Sequence, residues 1–182
     1  MMLLTTSRRP TGRIRTFCRD LANSIPDFVR TNRGKMSLDG VAEKAIEIEA
    51  DKVVLVDRWH GGPGRINLYK LSNGLEPVPP LMLIKTIRLR REFENVKKRG
   101  QSSAITYEPE SSAALAKIAG ALSQFFGLPV VSLDDASEKH VASMHLSFDR
   151  ARCLQLTFVR LQQMVEIGPR VTLSKLIWDV SS

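Results

Sequence analysis

The sequence predicts an α/β fold of two similar halves, each a mixed sheet with helices packed on it. Three observations predict it. Apolar, β-branched runs such as "KVVLV" alternate with helical patterns, the mark of buried strands joined by crossover helices. An amphipathic stripe, a proline and an apolar strand follow one another in "IRTFCRDLANSIPDFV", and again in "LAKIAGALSQFFGLPVV" 101 to 103 residues later. Finally, 43% hydrophobic residues in a chain of 182 supply a real core, which excludes disorder.

Residues 2–6 read as a short strand. A helix over 10–23 follows, with Ile14, Phe17, Cys18 and Leu21 spaced i, i+3, i+4, i+7 and Pro10 suited to its first turn. Cys18 lies on that stripe as a small core residue. "PDFVRT" is a short strand and "NRGK" a turn. Ser37 can cap a second helix over 38–49, with Leu38, Val41, Ala42, Ala45 and Ile48 inward. "KVVLVD" is a buried strand, "RWHGGPGR" a loop, "INLYKL" a strand and "SNGLEPVPP" a loop. "LMLIKTIRLRREF" alternates Ile87 and Leu89 with Arg88 and Arg90, an extended strand with a basic face.

The second half begins with the strand "SAITY". Ser111 or Ser112 caps a helix carrying Leu115, Ile118, Ala119, Leu122, Phe125 and Phe126 on one face, and Gly127 ends it. "LPVVSL", "HLSF", "CLQLTFVRL" and "VTLSKLIWDV" read as strands. The boundaries expected are 1–95 for a basic half and 96–182 for the second.

Charge separates the halves. Residues 1–100 hold 20 Lys and Arg against 11 Asp and Glu; residues 101–182 hold 7 against 8. The excess concentrates in residues 8–35 and 85–99, which points to a polyanionic partner. Apolar runs are too short to span a membrane, and no run of signal-peptide length opens the chain, so a cytoplasmic protein is expected. Two cysteines make no disulfide framework.

Catalytic signatures are missing. "HGGPG" at 60–64 resembles an oxyanion-hole motif, but no G-x-S-x-G elbow accompanies it, and a glycine-rich hairpin loop explains it better. No phosphate-binding glycine loop occurs. His60, His140 and His145 have no zinc spacing with either cysteine. Asp134-Asp135 reads as a solvated acidic turn. Neither an enzyme nor a cofactor is therefore expected. Aromatics are only 6%, so a stacking platform for single strands is weakly supported; Trp59 and Tyr69 are the plausible stackers, each expected to be partly buried.

"TSRRPTGRIRTFCRDL" followed by "IPDFVRTNRGK" resembles the N-terminal signature of the Brix-domain superfamily. The matching residues are Thr6, Ser7, Arg8, Pro10, Thr11, Arg13, Phe17, Leu21, Pro26, Arg30, Asn32, Arg33 and Gly34. "EIGPRVTLSKL" at 166–176 looks like the family's closing motif. The resemblance covers essentially residues 1–182 as one Brix domain. It implies two α/β halves, each like the anticodon-binding domain of class II tRNA synthetases. It also implies a ribosome biogenesis factor that binds ribosomal RNA or pre-rRNA, with ribosomal or assembly-factor proteins as further partners. A chain little longer than the domain resembles archaeal members.

The residues expected to grip phosphate are Arg8, Arg9, Arg13, Arg15, Arg19, Arg30, Arg33, Lys35, Arg88 and Arg90. Arg15 and Arg19, joined by Arg8 only if the helix starts that early, would share one helix flank away from the apolar stripe, and Gly34 would let the backbone approach. Guanidiniums suit phosphate through bidentate hydrogen bonds. The alternative is a protein-interaction module whose basic face docks an acidic protein; a hydrolase using the His60 loop ranks last. Arg170 is expected to pair with an acidic residue.

Overall fold

The computed structural model describes residues 1–60, 62–94, 100–109 and 113–181. The chain forms two compact units. The first comprises Met1–Ala22, Asp27–Ile84 and Lys175–Ser182; the second comprises Asn23–Pro26 and Lys85–Ser174.

In the first unit, β1 (Met2–Thr6) lies between β2 (Phe28–Arg30) and β3 (Lys52–Trp59), parallel to both. A strand flanked on both edges and covered on both faces needs a near-continuous apolar run. "MLLTT" supplies it, and all five residues are buried. Helix α1 (Gly12–Ser24) connects β1 to β2. Thr11 Oγ1 accepts a hydrogen bond from the Ile14 amide at 3.3 Å, satisfying one of the orphan donors at the helix start. The predicted stripe is the buried one: Ile14 and Phe17 are fully covered, with Cys18 and Leu21 nearly so.

Helix α2 (Leu38–Glu47) is capped as expected, Ser37 Oγ accepting from the Gly40 amide at 3.1 Å. Val41 and Ala45 join Leu3, Ala50 and Val53 in a core cluster, with Ile48 packed against it. Leu38 was expected inward but is 47% exposed. It occupies the first helical position, where the chain still turns outward.

Strands β3, β4 (Gly62–Leu71) and β5 (Leu75–Arg88) form an antiparallel meander. "RWHGGPGR" is not a loop, since β3 runs to Trp59 and β4 restarts at Gly62. The pairing slips between Asp57 and Arg58, leaving Gly64 as the extra residue of a bulge. "SNGLEPVPP" is a loop only to Gly74. Pro79 and Pro80 fall where Ile66 pairs Met82 but Leu68 pairs Val78, a register break that needs no ladder donor from proline. At its other end β5 stops at Arg88. The Leu89 amide donates to the Glu92 carboxylate at 2.5 Å, and Arg90–Glu92 turn as a 3-10 helix, so the expected strand does not reach Phe93.

In the second unit, β6 (Ala104–Tyr107) is parallel to β7 (Ala142–Phe148). β8 (Leu154–Arg160) pairs antiparallel with β7, with β10 (Arg170–Ile177) and with the short β9 (Val165–Glu166), which the sequence did not reveal. Helix α3 (Ala113–Phe126) packs its predicted stripe on β6 and β7 and ends at Gly127, whose φ of 69° is left-handed. The expected caps Ser111 and Ser112 lie outside the described residues. "LPVVSL" is not a strand. Val130 makes one parallel bridge to Ile105, and Ser132 then caps α4 (Leu133–Lys139). Asp134 and Asp135, read as an acidic turn, sit in the first turn of that helix, where its dipole favours carboxylates.

Both units run strand, helix, short parallel segment, helix, strand parallel to the first, then antiparallel strands. Among the described residues, no helix is long and apolar enough to cross a membrane.

Candidate nucleic-acid interface

Open α/β sheets present ligand sites outside the carboxyl ends of their parallel strands. In the first unit, β1 and β2 deliver their ends to the segments Ser7–Thr11 and Thr31–Lys35, where the arginines are. Two clefts open there. The smaller, about 500 Å³, is lined by Arg9, Arg15, Arg30 and Arg33 with Asn32 and Gly34. The larger, about 1000 Å³, is lined by Arg8, Arg33, Arg58 and Arg65 with Asp57 and Trp59.

Arg33 borders both clefts yet is only 8% exposed. Its Nε donates to the Met36 carbonyl at 2.7 Å and its Nη1 to the Thr6 carbonyl at 3.0 Å. Burial lowers its pKa, the Arg8 guanidinium adds to that, and Asp57 opposes it. Arg33 is thus an internal tie that holds the β2–α2 turn to the end of β1. Two of its donors therefore already go to backbone oxygens.

Arg9, Arg15 and Arg30 are exposed around the smaller cleft, and the first turn of α1 holds no acidic residue. Three guanidiniums beside a helix N-terminus make a strongly positive concavity. Arg9 has a left-handed φ of 55° and Gly34 one of 54°; a Cβ on Gly34 would meet nothing within 4 Å, so its turn leaves open space at the rim. Cys18 closes the cleft's inner side; burial pushes its thiol up to about 12, against a lowering by Arg30.

Helix α1 starts only at Gly12, so the condition for Arg8 to share the flank of Arg15 and Arg19 is not met. Arg8 belongs to the larger cleft, its Nε donating to the Met36 carbonyl at 3.3 Å. Arg58 and Arg65, which the sequence reading passed over, complete that side. Arg58 Nη1 donates to the Arg9 carbonyl at 3.2 Å, and Arg65 Nε donates to the Asp57 carboxylate at 2.9 Å. Strand pairing carried the missing signal: Arg65 faces Asp57 across β3 and β4. Exposed Arg19 and Lys35 and half-buried Arg13 line neither cleft.

No family model matches the chain. Among curated proteins, a probable Brix domain-containing ribosomal biogenesis protein of Methanopyrus kandleri is 30% identical over 177 residues, 91% of this chain and 89% of that protein. The chain belongs to this family. A protein of the same name from Aeropyrum pernix is 39% identical over 90 residues, spanning about half of each chain (49% and 50%). The crystal structure of a probable ribosomal biogenesis protein from Aeropyrum pernix K1 superposes with a TM-score of 0.76 at 27% identity, covering 97% of this chain and 98% of that one. The archaeal Imp4-like protein Mil shares the fold, with a TM-score of 0.66 at 24% identity over 96% of this chain.

In this Brix protein Arg88 and Arg90 belong to the second unit. Arg90, also expected at phosphate, is 7% exposed, and its Nη2 donates to Ser24 Oγ at 3.2 Å. Arg88 is exposed, but its guanidinium stacks 4.2 Å above the Phe93 ring and donates twice to the Glu92 carbonyl. The Brix closing motif explains itself: Arg170 grips Glu166 of the same "EIGPR", Nε to Oε1 at 2.7 Å and Nη2 to Oε2. Thr157 Oγ1 donates to the same carboxylate at 2.5 Å. Burial pushes Glu166 up, but the bonds from Arg170 and Thr157 outweigh it and hold the carboxyl below its ordinary value. Between the pair, Gly168 adopts φ 65°, and a Cβ there would collide with the Phe93 ring. Among the described residues, no three His, Cys, Asp or Glu side chains cluster so as to hold a metal.

Proposed function

We propose that this chain is a ribosome biogenesis factor that binds ribosomal RNA or its precursor without catalysing a reaction, working in the cytoplasm beside ribosomal or assembly-factor proteins. The observation that carries the reading is the convergence of exposed Arg9, Arg15 and Arg30 on one cleft at the start of α1. Planar guanidiniums on three separate segments suit the spaced phosphates of a folded RNA, which is read mainly through its backbone and shape. The family name supports the setting, ribosome assembly, and the net charge of +8 agrees with a polyanionic partner. The common order of elements in the two units supports a duplicated α/β ancestor for the Brix domain.

The test is crosslinking in cells followed by sequencing of the attached RNA. Enrichment of one or a few ribosomal RNA segments is expected. Recovery of no RNA above background, together with a stable complex with an acidic protein, would transfer the basic cleft to protein docking.

A further inference from the structure

The larger cleft has a feature that phosphate contact does not use. Trp59 is 63% exposed, although the sequence suggested partial burial. It is exposed because β3 continues past the sheet's buried residues into the hairpin with β4, so its side chain stands beyond the core. The bulge brings Gly64 against it: a Cβ on Gly64 would overlap the Cβ of Trp59, so only glycine fits beside this tryptophan, which lines the larger cleft. The His60 ring stands perpendicular to the indole, centroids 4.9 Å apart, and the tryptophan stays exposed beside it. Tyr69, Asn67 and Asp57 line the same cleft. Asp57 accepts hydrogen bonds from Asn67 Nδ2 at 2.8 Å and from Arg65, so donors and acceptors are fixed in place at the cleft floor. Arg8, Arg58 and Arg65 supply positive charge around it.

A single exposed aromatic residue is ordinary. An indole held by a glycine bulge, over a polar floor and among three arginines, fits one ligand chemistry: a flat π-face, a polar edge and an adjoining phosphate. A nucleobase within a duplex offers no free face. We propose that the larger cleft takes one unpaired nucleotide of the bound RNA, its base stacked on Trp59, its edge toward Asn67 and Asp57, and its phosphates toward Arg8 and Arg58. The bound RNA is then a helix interrupted by a bulge or ended by a single strand. This inference rests on the RNA-binding reading above and names what that RNA must contain.

The experiment compares two fluorescein-labelled RNA hairpins of equal phosphate number, one with an unpaired adenosine and one fully paired. Each is titrated against the wild-type chain, Trp59→Ala and Trp59→Phe. Stacking on an aromatic side chain is worth roughly 1–3 kcal/mol per base, so Trp59→Ala should weaken the bulged hairpin about tenfold. It should leave the paired hairpin and both salt slopes unchanged. Trp59→Phe should keep most of the affinity. In a Trp178→Phe background, binding of the bulged hairpin should quench the remaining tryptophan and binding of the paired one should not. Equal losses on both hairpins, or no loss on either, would overturn the stacking site while leaving phosphate binding intact. If neither hairpin binds the wild-type chain, the phosphate reading falls first and the stacking site with it.

Discussion

Replacing Arg15 and Arg30 together by alanine tests the small cleft directly. Both are exposed, they line it from different segments, and neither belongs to the apolar stripe of α1. With Arg9 they make three expected phosphate contacts. On the scale of a B-DNA duplex each contact contributes about −0.9 to the slope of log K against log salt, so this cleft's share is about −2.7. Between roughly 50 and 200 mM salt, this share lowers affinity about 40-fold. Removing two of the three contacts should flatten the measured slope by about 1.8 and shrink the salt-dependent fall about 12-fold, whatever the other cleft adds. Fluorescence anisotropy at several salt concentrations measures both. Surface substitutions of this kind change stability by about 0.5 kcal/mol or less, so far-UV circular dichroism and the urea midpoint should not move. Lys117→Ala, exposed on α3 in the second unit, should leave the slope alone. If the folded double variant keeps the wild-type slope, these guanidiniums do not meet phosphate and the interface lies elsewhere.

Three further outcomes follow from the geometry. Arg33→Ala removes two charge-assisted bonds to the Thr6 and Met36 carbonyls and should cost about 2–4 kcal/mol in urea unfolding, where Arg15→Ala costs almost nothing. Glu166→Gln should cost about 2 kcal/mol at neutral pH. Because the Glu166 carboxyl is held below its ordinary value, this contribution is complete above the ordinary carboxylate range and is lost as the pH falls through the lowered pKa. Wild type and variant should therefore converge in stability in acid, and a gap that persists or widens there would contradict the pairing. Cys18, buried and pushed up to about 12, should resist alkylation at mildly alkaline pH in the native chain, while the partly exposed Cys153 reacts; labelling both at equal rates would contradict the burial of α1.

The elements most legible in the sequence are those whose periodicity is long enough to be unambiguous. The stripes of α1 and α3 repeat over successive turns, while Ser37 marks the start of α2 and Gly127 the end of α3 by chemistry that acts locally. Helix α4 was missed because only Ala136 of its seven residues is buried, so it shows no stripe. Its Ser132 cap and acidic first turn were the available signal. The prolines of β5 suggested a loop because a register break cannot be seen without the partner strand. The candidate site shows the same limit. In "RTNRG", Arg30 and Arg33 look equivalent, yet the end of β1 turns one inward against carbonyls and leaves the other exposed. Arg58 and Arg65 look isolated in the sequence, and only the pairing of β3 with β4 brings them to Arg8. The partner of Arg170 was legible because it lies four residues away in the same motif.

The path of the backbone through the two units bears on how the molecule can be cut. The second unit takes in Asn23–Pro26, a stretch enclosed on both sides by first-unit residues, and the first unit takes in Lys175–Ser182 after the second is finished. Each unit thus holds a length of chain whose neighbours in sequence belong to the other. One nick by a protease cannot release either unit whole. Nor can either be produced from a single uninterrupted stretch of coding sequence without omitting one of its own pieces or carrying a piece of the other. Limited digestion should accordingly leave fragments that co-migrate until denatured, and expressing one unit alone will require joining segments that nature keeps apart.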